Sequence, residues 1–177
     1  MDTSLKNFLQ ISYDELEKLN LDAKEKRDTL PLAQQETYYR EYLENEARIK
    51  AVTLCFSDIE GRFHMLDYDK KFFLSSSDNL TFDGSSIRGF TAQKESDLRL
   101  EIDWTSFLWL PADIFGAGKV IVFANVLTRD GKQYQSDFRG MLQKLIHDIE
   151  DKEGLTPFAS GEIEGFLLEG INAEQHF

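Results

Sequence analysis

The nine residues KVIVFANVL, Lys119 to Leu127, are nearly all apolar or small. Such a run suits a strand covered on both faces, and Arg129-Asp-Gly-Lys132 follows it as a turn signal. Upstream, the period changes at Ala51 from helical to alternating: Val52, Leu54 and Phe56 share one face of a strand, Thr53 and Cys55 the other. Asp58-Ile-Glu-Gly61 turns the chain and Phe63 and Met65 resume the alternation, so residues 51–68 read as a β-hairpin with a loop longer than two residues. Leu98, Leu100 and Ile102 alternate with Arg99 and Glu101 and make a further strand.

Helical signals flank these strands. Ser12 and Glu15 have the spacing of a capping box, so a helix starts near Tyr13 and carries Leu16, Leu19 and Ala23 on one face. After the break at Thr29-Leu-Pro31, a second helix brings Tyr39, Leu43 and Ala47 into register. Together they form a charged N-terminal section of about fifty residues, expected to act as a docking or assembly arm. Asp137 can cap a later helix that buries Met141, Leu142, Leu145, Ile146 and Ile149 and ends at Gly154. Residues 156–169 return to strand character. The order of elements, with no internal repeat, indicates an α+β module followed by the opening of another.

A chain of 177 residues with 41% apolar content can bury a core of one domain, or of one domain and a piece of a second. Its 20 basic against 32 acidic residues give a net charge of −12, which disfavours nucleic acid and anionic membrane partners. No stretch approaches the roughly 20 apolar residues of a membrane span, and the N-terminus lacks a basic start and apolar core, so the expected location is cytoplasmic. The single cysteine, Cys55, allows no intrachain disulfide and reads as a buried small residue.

Two places could carry chemistry. Glu162 and Glu164, at i and i+2 of the expected last strand, would project side by side. In a cleft their repulsion calls for a basic partner, a raised pKa or a divalent cation such as Mg²⁺ or Mn²⁺, whereas on a wet strand edge they need none of these. The apolar neighbours Phe158, Phe166, Leu167 and Leu168 favour an interior strand. The second place is Asp83, followed by Gly84, Ser85 and Ser86. It reads either as a turn aspartate bonded to the following amides or as a functional carboxylate. His64, His147 and His176 have no ligand spacing and read as structural or surface residues. Ser85 and Ser86 lack a GxSxG elbow and a nearby histidine, and Gly84 and Gly89 make no common phosphate-binding loop.

Phe82–Ile87 (FDGSSI), Glu95–Leu98 (ESDL), Asp130–Tyr134 (DGKQY), Ser136–Arg139 (SDFR) and Glu162–Glu164 (EIE) stand in the order and approximate spacing of glutamine synthetase, and the chain resembles that family from about Ile49 to Leu168. Gly165 departs from the family's G-x-E-x-E-F pattern, which usually has an aromatic there. The resemblance implies an N-terminal helical section at 1–47, a β-grasp domain at 48–132 and, at 133–177, the first helix and strand of an incomplete α+β catalytic domain. It implies ATP-dependent ligation of ammonia to glutamate through a γ-glutamyl phosphate. Glu162 and Glu164 would each hold a divalent ion, Asp83 would bind ammonium and help take its proton, and Ser86 would border that pocket. It also implies a homo-oligomeric ring in which the loop at Asp83 reaches a neighbouring subunit. Family enzymes are longer, and most of the metal, ATP and substrate residues lie in the part absent here, so the 177-residue chain reads as a truncated and inactive fragment. The alternatives are a non-catalytic synthetase-like assembly module, and a ligase that joins glutamate to another amine.

Overall fold

The computed structural model describes residues 6–92, 96–167 and 169. Its centre is a five-stranded sheet in the order β2-β1-β5-β4-β3. β1 (Ala51–Ser57) and β2 (Phe63–Asp69) form the expected antiparallel hairpin. β5 (Lys119–Leu127) lies parallel to β1 and antiparallel to β4 (Asp97–Trp109), and β3 (Leu80–Asp83) closes the far edge against β4. The burial that its composition demands is met along β5: Val120, Val122, Ala124 and Val126 are buried on one face, and Ile121 is buried with half-buried Phe123 on the other. Mixed strands, helices and this sheet make the α+β class expected from sequence.

α1 (Tyr13–Thr29) begins at the expected Ser12 cap, with Ser12 Oγ accepting from the Glu15 amide at 3.4 Å. α2 (Leu32–Asn45) follows Pro31, whose fixed φ suits a helix start. The two helices share the core of the sheet and do not stand apart as an arm. Tyr39 stacks on Phe107 of β4 with ring centroids 4.4 Å apart, and the Trp109 indole N–H donates to the Tyr42 hydroxyl at 2.8 Å. Asn20 accepts from the Trp109 amide at 3.0 Å and donates to its carbonyl at 3.1 Å, so the end of β4 is tied to α1. An amphipathic helix beside an uncovered apolar sheet face buries its stripe there. Ala47 falls beyond the end of α2 and is exposed.

Two short helices carried no period long enough to be read. α3 (Lys70–Ser76) follows β2 directly, with Asp69 capping the Lys71 and Phe72 amides and Phe73 buried. α4 (Ala112–Phe115) is a single turn after Pro111.

The chain forms two compact units, Met1–Gln143 and Lys144–Phe177. Within the first, the β4–β5 register shifts between Asp103 and Leu108. In this bulge the Thr105 amide and hydroxyl donate to Asp103 Oδ1 at 3.0 and 2.6 Å. Asp103 Oδ2 pairs with Arg139 and accepts from Gln143 at 3.0 Å, and Arg139 also donates to Asn125 at 2.7 Å. The first turns of α5 (Phe138–Glu153) are thereby held to the sheet. Burial pushes the Asp103 carboxyl up, but the Thr105 hydroxyl and Arg139 more than offset it and hold it below the usual range. Asp137, buried before α5, accepts from the Val126 amide at 3.0 Å, and there burial prevails and raises the pKa despite amide donors. Gly154 ends α5 at φ +65°, as expected.

Two expectations fail in this last part of the described chain. Met141, Leu142 and Leu145 on α5 are exposed and Ile146 and Ile149 only half-buried, because no described element covers that stripe. Residues 154–167 form no strand: with no ladder partner among the described residues, alternation alone cannot make one, and Phe158, Ile163, Phe166 and Leu167 stand free.

Asp103→Ala should destabilise the fold by about 2–4 kcal/mol at neutral pH, since it leaves Arg139 without its carboxylate. A depressed folded pKa contributes stability above the unfolded value and loses it as pH falls through the folded one. Urea unfolding of the two proteins between pH 7 and pH 2 should therefore converge toward the acid end.

Candidate functional site

β3 delivers Asp83 to the sheet edge, where it is the ladder partner of Asp97. A single 3₁₀ turn, Gly84–Ser86, follows at once. Asp83 Oδ1 accepts from the Ser85 amide at 2.9 Å and the Ser85 hydroxyl at 2.6 Å, while Oδ2 accepts from the Ser86 hydroxyl at 3.1 Å. Asp83 thus makes the turn that one of its two readings expects, and its carboxylate remains exposed. The Ser85 hydroxyl foremost, then the Ser85 amide and the Ser86 hydroxyl, hold the carboxyl below its ordinary range. It is an ionised acceptor at neutral pH, fixed in direction by three donors.

The backbone beneath is held as closely. The Gly84 amide donates to the Ser96 carbonyl at 2.7 Å, and a Cβ on Gly84 would lie 2.7 Å from Leu98 Cδ1 and 3.1 Å from Thr91 Oγ1. Only glycine fits there without moving the buried Leu98. The turn is closed by the Ile87 amide on the Gly84 carbonyl at 3.1 Å. Asp97 lines an open cleft of about 760 Å³ together with Ser96, Arg129, Asp130 and Tyr134. Lys132 and the Thr128 hydroxyl hold the Asp130 carboxyl down to about 2.

Of the residues expected to act, Asp83 and Ser86 are brought into direct contact. Glu162 and Glu164 belong to the second compact unit and sit exposed in its irregular segment, not on an interior strand. Among the described residues, no group of three or more His, Cys, Asp or Glu side chains could hold a metal ion. His64 Nε2 lies 2.8 Å from the buried Asp58 carboxylate, and exposed His147 pairs loosely with Glu150 at 3.7 Å, both structural or surface roles. Burial pushes the Cys55 thiol up to about 12. Glu95 and His176 lie outside the described residues. The Ser85 amide is a partner that the turn reading of Asp83 expects, whereas the Ser85 hydroxyl, read only as a poor candidate nucleophile, is a second and shorter contact that a serine two residues after a turn aspartate could have signalled.

The parallel β1–β5 pair, flanked by antiparallel strands and packed on helices, defines this part of the chain as a β-grasp domain. Residues 48–129 match the family described as "Glutamine synthetase, beta-Grasp domain". A glutamine synthetase from Thermotoga maritima is 37% identical over 124 residues, 70% of this chain and 28% of that protein. One from Archaeoglobus fulgidus is 31% identical over 132 residues, 72% of this chain and 27% of that protein. The cryo-EM structure of Plasmodium falciparum glutamine synthetase shares the fold at a TM-score of 0.56 and 17% identity, covering 66% of this chain and 22% of that one. Residues 48–129 thus carry the β-grasp domain of the glutamine synthetase family, and the matched stretch spans little more than a quarter of those curated relatives.

Ser85→Ala should raise the Asp83 carboxyl midpoint, read by ¹³C NMR titration, more than Ser86→Ala does. Each hydroxyl stabilises the ionised form, and Ser85 provides the larger share. Equal midpoints in both variants and the parent would contradict this electrostatic account.

Proposed function

We propose that this chain serves an ATP-dependent ligase that joins ammonia to glutamate through a γ-glutamyl phosphate, and that it contributes the loop bearing Asp83 and Ser86. The observation that carries this reading is the Asp83 carboxylate itself: ionised, solvent-facing and aimed by three local donors, on a domain of the glutamine synthetase family. A carboxylate of that kind attracts ammonium and can accept its proton, leaving ammonia to attack. Ser86 borders this position and keeps one carboxylate oxygen in place. In this proposal the loop lies at a subunit boundary of a homo-oligomeric ring in the cytoplasm. Among the described residues, no helix is long and apolar enough to cross a membrane.

Glu162 and Glu164 are proposed as part of the ligand set for Mg²⁺ or Mn²⁺, the ion that would bridge phosphate oxygens of ATP. Water and phosphate oxygens can complete the shell of such an ion, but Glu162 and Glu164 stand exposed in an irregular segment and no third His, Cys, Asp or Glu groups with them among the described residues, so these do not fit a complete site and no step is routed through one. In this proposal most of the ATP site belongs to the part of the family enzymes that the match does not span. A second reading, a synthetase-like assembly module, draws on the uncovered apolar stripe of α5.

The purified 177-residue chain is expected to form no glutamine from glutamate, ATP and ammonium in a coupled assay, and turnover would overturn that expectation. A chimera in which residues 48–129 replace the matching segment of the Thermotoga maritima relative tests the role of the loop. There Asp83→Ala should lower kcat/KM for ammonium by about 100-fold or more with the oligomer intact. Full turnover without Asp83 would refute its role, and loss of the oligomer instead would favour the assembly module.

A further inference from the structure

The stretch from Ile87 to Phe90 is held from outside by a turn that its own motif does not include. Asp58, 2% exposed, accepts from the Glu60 and Arg62 amides at 2.8 and 2.9 Å and pairs with His64 at 2.8 Å, so the 58–62 turn between β1 and β2 is rigid. From its tip the Ile59 side chain reaches Gly89: a Cβ built there would lie 2.1 Å from Ile59 Cδ1 and 2.9 Å from Cγ1. Gly89 also sits at φ +82°, where other residues are strained. Glu60 forks between Arg88 at 3.2 Å and Arg62 at 3.1 Å. The segment's two ends have anchors of their own. Gly84 is bonded to Ser96, and the Phe90 ring packs on Tyr134 and Phe82 at 5.4 and 6.3 Å.

We propose that Ile59 is a positioning residue for the loop that bears Asp83 and Ser86, acting through its contact with the bare Cα of Gly89. The contact fixes residues 88 and 89, and these hold Ile87, whose amide closes the turn on the Gly84 carbonyl. If that closure loosens, the Ser85 and Ser86 donors lose their fixed place on the carboxylate. The functional weight of this brace rests on the reading of Asp83 as the ammonium-binding group, but the brace itself is a property of the loop. It extends the functional assembly to the turn between β1 and β2, which the family-like motifs leave out.

Ile59 is 37% exposed, so Ile59→Ala spares the core and should fold. In the whole chain, NMR exchange of the Ser85 and Ile87 amides with water should speed up about fourfold or more, the equivalent of losing one buried methylene. The Asp83 ¹³C midpoint should rise toward the ordinary aspartate value. Leu19→Ala, on α1, is the control: it should lower Tm while leaving both loop readouts as in the parent. Unchanged exchange in Ile59→Ala, or equal acceleration in Leu19→Ala, overturns the proposal. Neither readout involves turnover or ammonium, so failure of the ammonium-site reading would leave this result standing, and failure of the brace would leave that reading standing.

Discussion

Everything else in this fold depends on the pairing of β1 with β5. The ladder runs in parallel from Ala51 with Lys119 to Cys55 with Phe123, between strands far apart in the chain. Because consecutive hairpins cannot make a parallel pair, the intervening chain must cross over and return, and β2, α3, β3, β4 and α4 are what it builds on the way. Val52, Leu54, Val120 and Val122 are wholly buried at this junction, and a one-residue slip of β1 would put Thr53 and Cys55 in place of its two aliphatic side chains there. β4 then lies on β5, and its aromatic inner face gives α1 and α2 a surface to cover. The Asp83 turn comes at the outermost strand, carried there by a scaffold whose rigidity originates three strands away.

Three aspartates show how local partners decide what a carboxylate can do. Asp137 is buried with only backbone donors and is pushed up. Asp103 is nearly as enclosed but has a guanidinium and a hydroxyl, and it is pulled down. Asp83 needs no burial at all, since two adjacent serines and one amide orient it in water. The first two hold α5 to the sheet. Only the third combines a fixed direction with open access, and that combination separates a group able to meet a small cation from one that ties elements together.

Local signals were legible. The Ser12 cap, the hairpin of residues 51–68, the buried β5 and the ends of α5 at Asp137 and Gly154 all appear where residue pattern places them. Each depends on neighbours within a few positions. The parallel pairing, the four-residue β3 and the seating of the N-terminal helices on β4 depend on residues far along the chain and leave no short-range trace. The segment around Glu162 and Glu164 shows the converse. Its alternation alone makes no strand, because a strand also needs a partner that pattern cannot supply. At the candidate site, Asp83 and its turn with Ser85 are local and legible, whereas the seat of Ile59 on Gly89 joins residues thirty positions apart and leaves no trace in the pattern.

The uncovered stripe of α5 has a colloidal consequence. Phe138, Met141, Leu142 and Leu145 would adhere to similar surfaces on other copies at close range. Each copy also carries a net charge of −12, and like charges repel across roughly a Debye length, ~10 Å at 0.1 M salt. Dispersal of the chain in solution therefore depends on long-range repulsion acting before short-range adhesion. Raising the ionic strength shortens the first without weakening the second.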